Sequence, residues 1–232
     1  MNTRYLLAGD KSIVVEFGNL ISEEINKKVV SLMEAIENSD INDFIDEMTP
    51  TYRSLMINYN PLKIDFDSLL KEVKLLEKNI KSSGTIKKNI IEIPVLYGGE
   101  YGPDIENVAK HNNLSIEEVI KIHSEKEYLI YMLGFTPGFP YLGGMDERIE
   151  TPRLKVPRTK IPGGSVGIAS KQTGVYPIDS PGGWQLIGRT PLKLYNPDKE
   201  SPILLKVGNY IKFIPITKGE FDKLSAENGG DN

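Results

Sequence analysis

Apolar residues recur along the first third of the chain with two different periods. In SEEINKKVVSLMEAIEN, Ile25, Val29, Leu32 and Ile36 step by four, three and four, which places them on one helical face. Ser22 stands where an N-cap belongs, with acidic residues after it in the first turn, where negative charge suits the helix dipole. Leu69, Val73, Leu76 and Ile80 form a second such face and predict a helix from Asp67 to Lys81. RYLLAG and SIVVEF read as two strands joined by a turn at Gly9-Asp10, and DFIDEM and YRSLMINY as a second pair around Thr49-Pro50. The order ββαββα predicts an α+β module, a small sheet with its helices packed on one side.

The pattern changes near residue 89. NIIEIPVLY predicts a strand, followed by a turn at GGEYG and two short helices. Pro103 falls in the first turn of one helix, where its missing N–H costs nothing. The other opens on SIEE, in which Ser115 and Glu118 match a capping box. EYLIYMLGF then reads as a strand, and the remainder is punctuated by glycine and proline. Pro-Gly-Gly occurs twice, at 162–164 and 181–183. Proline sets φ at the second position of a turn and glycine supplies positive φ at the third, so each tripeptide predicts a turn that launches a strand. SVGIAS and WQLIGR are those strands, and the second part is expected to be a β-barrel or sandwich with two helices near its start. Of 21 glycines and 15 prolines, only Gly9, Gly18, Gly84, Pro50 and Pro61 precede residue 89. That shift places the domain boundary in KSSGTIKKN, dividing the chain into residues 1–85 and 86–232.

Composition narrows the chemistry. The 232 residues are 39% hydrophobic and 26% charged, as in ordinary globular domains, and the net charge of −4 gives no electrostatic reason to expect nucleic acid or an acidic membrane. With no cysteine, disulfides, thiolate zinc sites and cysteine nucleophiles are excluded. The opening MNTRYLLAGDK reads as neither signal peptide nor anchor, and no apolar run approaches the roughly 20 residues that span a bilayer. A cytoplasmic protein is the expectation.

Candidate sites lie in the second part. GGSVG matches the Gly-x-Ser-x-Gly nucleophile elbow in form, but the residues after Ser165 are strand-like and both histidines, His111 and His123, come earlier. Turn-shaping glycines are the better reading. Lys171 lacks the glycine before and the Ser or Thr after that a P-loop demands. Two histidines without cysteine give no metal-ligand spacing, so no metal site is expected. His123 ends the capped helix, where it suits either a packing and dipole role or acid–base chemistry. ERIETPRLKVPRTK carries Arg148, Arg153, Lys155, Arg158 and Lys160; it is either an exposed edge or, with Arg189, an anion site beside glycine turns. In GFTPGFPYLGG, Phe135, Phe139 and Tyr141 can wall a pocket or plug a barrel end.

IPVLYGGEYGPD, YMLGFTPGFPYLGGMDERI and PRTKIPGGSVGIASKQTGVYPIDSPGGWQLIGRTP together resemble the family of the 5-oxoprolinase B subunit, also known as KipI, a sporulation-kinase inhibitor, or as allophanate hydrolase subunit 1. The resemblance runs over nearly the whole chain and is densest from Ile93 to Tyr195. It implies a small N-terminal α/β domain followed by a cyclophilin-like β-barrel. It also implies work with a C subunit, related to the carboxyltransferase part of urea carboxylases, and with a LamB/YcsF-type A subunit. Together these open the lactam of 5-oxo-L-proline to L-glutamate with ATP. On this reading His123 transfers a proton, Arg158 and Arg189 bind an anion, and Ser165 and Gln172 supply hydrogen bonds. Gly163 and Gly164 let backbone approach the ligand, and Trp184 with Phe135, Phe139 and Tyr141 forms the apolar wall. The alternative that the resemblance carries is a KipI-type inhibitor docking on a sensor histidine kinase. A third reading, an amidohydrolase acting alone, needs a nucleophile that the sequence does not offer.

Overall fold

A computed structural model describes residues 3–80 and 88–228. The chain divides into two compact units, Met1–Lys87 and Lys88–Asn232. The expected boundary stretch, Lys81–Asn89, lies for the most part outside the described residues, as does the expected last residue of the second helix, Lys81.

In the first unit, β1 (Arg4–Leu7), β2 (Ser12–Glu16), β3 (Ile45–Pro50) and β4 (Ser54–Tyr59) form an antiparallel sheet in the order β1-β2-β4-β3. Helices α1 (Glu23–Glu37) and α2 (Phe66–Asn79) pack on it through Val29, Leu32, Ile36, Leu69 and Val73, which are all buried with Ile13, Val15, Leu55 and Ile57 of the strands. Ser22 caps α1 by accepting from the Ile25 N–H, and Asp65 caps α2 by accepting from Ser68. The turn between β3 and β4 falls at Thr51–Ser54 rather than at Thr49-Pro50. Pro50 stays inside β3 because that is an edge strand, where a missing N–H is tolerated.

The second unit begins with β5 (Ile90–Tyr97), then α3 (Ile105–Asn112) and α4 (Ile116–Glu125). Pro103 precedes the N-cap of α3 instead of lying in its first turn, whereas both bonds of the Ser115–Glu118 box form at α4. Strands β6 (Glu127–Leu133), β7 (Pro140–Gly143), β8 (Arg158–Ile161), β9 (Ser165–Ala169), β10 (Gln172–Val175), β11 (Ser180–Gly182), β12 (Gln185–Arg189) and β13 (Tyr210–Pro215) come next, and α5 (Lys218–Glu227) ends the unit. Seven strands make one sheet in the order β10-β9-β12-β5-β13-β6-β7. Its ends approach each other: a Cβ placed on Gly174 of β10 would lie 3.4 Å from the Pro140 carbonyl oxygen of β7. The sheet is therefore a nearly closed barrel. Its interior is filled by Ile93, Val166, Ile168, Val175 and Phe213, and Val108, Val119 and Ile122 of the two helices join that cluster. Strands β8 and β11 pair outside the main sheet.

The two Pro-Gly-Gly segments do different things. At 162–164 a turn closes from the Ser165 N–H to the Pro162 carbonyl, with φ +82° at Gly164, so proline stands one position earlier than expected. At 181–183 no turn forms; Pro181 and Gly182 belong to β11. There glycine serves close approach, since a Cβ on Gly182 would lie 2.5 Å from the Tyr176 hydroxyl. Among the described residues, no helix is long and apolar enough to cross a membrane.

Candidate functional site

Strand alternation gives the barrel wall two unlike faces. On β9, Val166 and Ile168 point into the core, while Gly167 and Ala169 point outward. On β10, Thr173 and Val175 point inward, and Gln172, Gly174 and then Tyr176 outward. Between Gln172 and Tyr176 the outward face is thus bare, with glycine at 167 and 174 and only a methyl group at Ala169. Trp184 lies in the space this leaves: a Cβ on Gly174 would sit 3.2 Å from its ring, and one on Gly167 3.2 Å from its Cβ. Phe139 stands edge-on to Trp184 (centroids 5.6 Å apart, planes at 88°) and to Tyr176 (5.4 Å, 71°). These rings, with Ile161 and Leu186, form a small second core outside the barrel.

A cavity of about 360 Å³ opens over this aromatic floor, within the range of small-ligand sites. Phe139, Tyr176 and Trp184 make its buried base; Arg153, Pro157 and Phe135 stand at its rim. Phe135 is held at φ +63° in a three-residue turn closed by the Thr136 N–H on the Gly134 carbonyl, a strained state for a bulky residue. Arg153 lies over the Trp184 ring at 5.9 Å. Burial pushes the Tyr176 phenol up to about 12 even though Arg153 and Arg158 pull the other way, so it remains a hydrogen-bond donor at neutral pH. Among the described residues, no carboxylate and no histidine lines the cavity.

Of the residues singled out from the sequence, Phe135, Phe139, Tyr141, Gln172 and Trp184 line this cavity together. Gly163, Gly164, Ser165, Arg158, Arg189 and His123 do not. The backbone expected to meet a ligand is already engaged. The Gly163 N–H donates to Asp179, the Gly164 N–H to the Tyr176 carbonyl, and the Ser165 N–H to Pro162. Ser165 opens a strand and is buried, so no elbow forms. Arg189 donates from Nε to the Gly163 carbonyl at 3.0 Å. Arg158 is 2.8 Å from Asp104, whose other oxygen accepts from the Leu186 N–H at 2.7 Å, and it also reaches the Trp184 carbonyl at 3.4 Å. The two arginines therefore do not converge on one anion. Each fastens backbone, and Arg158 through Asp104 holds the segment that carries Trp184.

His123 is fully buried inside the barrel core, stacked on Phe213 at 4.6 Å. Its tautomer follows from its neighbours. The Thr173 hydroxyl spends its proton on the Gly167 carbonyl, so it must accept from His123 Nε2 (2.7 Å), which leaves Nδ1 to accept from the Tyr97 hydroxyl (2.8 Å). Both ring nitrogens are thus occupied within the core, and His123 is not among the residues that line the cavity. Burial depresses it to about 3, against roughly 6.5 in the unfolded chain. Below pH 6.5 the unfolded state binds the extra proton, so stability is complete above that pH and declines as pH falls toward 3. Between pH 7 and pH 5 the unit should lose about 2 kcal/mol from this residue. Denaturant unfolding at the two pH values measures it; an equal loss in His123→Gln would assign the effect to other groups.

Sequence reasoning passed over Tyr176, and it named Arg153 only as one of five cations in a possible anion site. Tyr176 was within reach, because it lies four residues beyond Gln172 and so shares its outward face. Nothing distinguished Arg153 from the other cations of its stretch.

Known proteins resemble this chain along its length. A family model for the carboxyltransferase domain, subdomain C and D, matches residues 3–205. The chain is 44% identical to the 5-oxoprolinase B subunit of Bacillus subtilis (strain 168), over 98% of this chain and 99% of that protein. It is 38% identical to the 5-oxoprolinase B subunit of Escherichia coli O157:H7, over 93% and 97%. The crystal structure of the K. lactis urea amidolyase shares the fold with a TM-score of 0.72 at 24% identity, over 97% of this chain and 15% of that one.

Proposed function

The chain belongs to the carboxyltransferase subdomain C and D family together with the 5-oxoprolinase B subunit, and from that premise we propose that it is the B subunit of an ATP-dependent 5-oxoprolinase. The observation that carries this reading is the end-to-end match, 99% of the Bacillus subtilis protein against 98% of this chain. The second unit is then a cyclophilin-like barrel, and the assembly works in the cytoplasm where ATP is available. The partners are a carboxyltransferase-like C subunit, together with a LamB/YcsF-type A subunit. The bacterial relatives carry the enzyme-subunit name, and the reading as a sensor-kinase inhibitor finds no support among them.

The cavity suits binding better than bond-breaking. Lactam opening needs a group that moves protons or attacks the carbonyl, and the lining holds no histidine, carboxylate or lysine among the described residues. Nor does it fit a triphosphate, since Arg153 is the one cation in that lining. ATP and the chemical step are therefore assigned to the assembled complex, with this chain contributing a preformed pocket for the small amide. The purified chain with 5-oxo-L-proline and ATP should form no glutamate, and addition of the A and C subunits should restore ATP-dependent turnover. Turnover by the chain alone refutes the division of labour; an inert full assembly refutes the B-subunit reading.

A further inference from the structure

We propose that Arg153 is the carboxylate-recognising residue of the cavity, which makes the pocket selective for a flat, uncharged ring bearing one carboxylate. The inference rests on the B-subunit reading for the identity of that ring, and on the geometry for the charge.

Three observations carry it. Among the described residues, the lining contains one charged side chain, Arg153, and no acid. Among those residues, too, no carboxylate pairs with Arg153 or Lys155, whereas Arg148, Arg158, Lys160 and Lys171 of the surrounding sequence have Asp146, Asp104, Asp179 and Glu147; of the two unpaired cations, Arg153 is the one that lines the cavity. Its backbone is also fixed on both sides. The Pro152 carbonyl accepts from Gln185 Nε2 at 2.9 Å, and the Leu154 N–H donates to the Gly183 carbonyl at 2.7 Å. A guanidinium so placed, lying over an indole and left without an acid, is prepared for a ligand anion at little ordering cost.

The floor supplies the rest of the selectivity. Buried rings of Phe139, Tyr176 and Trp184 accept an apolar ring and exclude a second charge. The Tyr176 hydroxyl makes no hydrogen bond to another described residue and lines the cavity, so it is the donor left for an amide carbonyl. A ligand with an ammonium group, such as the ring-opened amino acid, would place a second cation beside the Arg153 guanidinium, with no carboxylate among the described lining residues to receive it. The pocket should therefore hold the lactam more tightly than the product.

The test uses Trp184, the single tryptophan, as reporter. The full chain is titrated with 5-oxo-L-proline, with its uncharged carboxamide and with L-glutamate, following fluorescence. Saturable quenching by 5-oxo-L-proline is expected, with the carboxamide and L-glutamate at least about tenfold weaker. Arg153→Gln should weaken 5-oxo-L-proline by at least about tenfold and abolish its advantage over the carboxamide, while Arg153→Lys recovers part of it. Its melting temperature should match wild type, because the side chain is exposed and unpaired. Equal affinity of wild type and Arg153→Gln, or no saturable response from wild type, overturns the proposal. The same variants in the assembled enzyme separate the two readings. A wild-type assembly that turns over 5-oxo-L-proline, with an unchanged KM in Arg153→Gln, removes Arg153 and leaves the B-subunit reading standing. An inert wild-type assembly removes that reading.

Discussion

His123→Ala is expected to lower the unfolding free energy of the barrel unit by about 3–5 kcal/mol. Two costs add. The imidazole is fully buried, stacked on Phe213 and edge-on to Tyr97 at 5.8 Å, so truncation leaves a cavity that strand backbone cannot collapse to fill. The Tyr97 hydroxyl also loses its partner in a dry interior, which by itself costs about 1–3 kcal/mol. Denaturant unfolding at pH 7.5 measures the sum, and a loss below about 1 kcal/mol would show that the ring is dispensable to the core. His123→Gln separates this role from proton transfer, because an amide can donate and accept but cannot titrate. Turnover per folded molecule in the assembled enzyme should survive that change. Its disappearance in a folded variant would return His123 to the chemistry.

Helices were legible where periodicity and capping agreed. At α1 both signals fall on the same residues, Ser22 and the Ile25–Ile36 face, and the element forms as read. At α5 the capping box Thr217–Glu220 is present, yet Phe221 is the one residue the helix buries, so no apolar face announced it. The barrel strands were harder for the opposite reason. All five residues of β9 are buried, inward ones by the core and outward ones by the aromatic layer, so alternation between apolar and polar disappears from the sequence. Chemical type still survived in the glycines, which mark where rings lie against backbone.

The site divides along the same line. Its aromatic wall was legible because Phe135, Phe139 and Tyr141 cluster within a few residues on turns. Its charges were not, because an arginine's role depends on partners far along the chain. Asp104 stands 54 residues from Arg158, and the Leu186 N–H that it also binds is 82 residues from Asp104. Subtracting such pairs leaves Arg153 and Lys155, of which Arg153 lines the cavity, and that subtraction needs coordinates.

Trp184→Ala should cost about 3–5 kcal/mol of stability, at the upper end of what core truncations cost. The indole is 7% exposed and is held between the Phe139 and Tyr176 rings above a floor of Gly167 and Gly174. Cavity cost grows when neighbours cannot move in, and here the floor is hydrogen-bonded strand, paired Gly174 to Gly167 across β9 and β10. Filling the void would mean breaking that ladder, so most of the space should persist. The same rigidity ties stability to binding, because Trp184 is both the keystone of the outer aromatic layer and the base of the cavity. Trp184→Phe keeps part of the ring area and should recover about half of the loss, while remaining too small to support Arg153 as the indole does. Unfolding curves followed by circular dichroism, with no reliance on the missing fluorophore, give the stability of both variants. If Trp184→Ala unfolds within about 1 kcal/mol of wild type, the outer layer is only a surface cluster, and the glycine-lined slot has some purpose other than seating the indole.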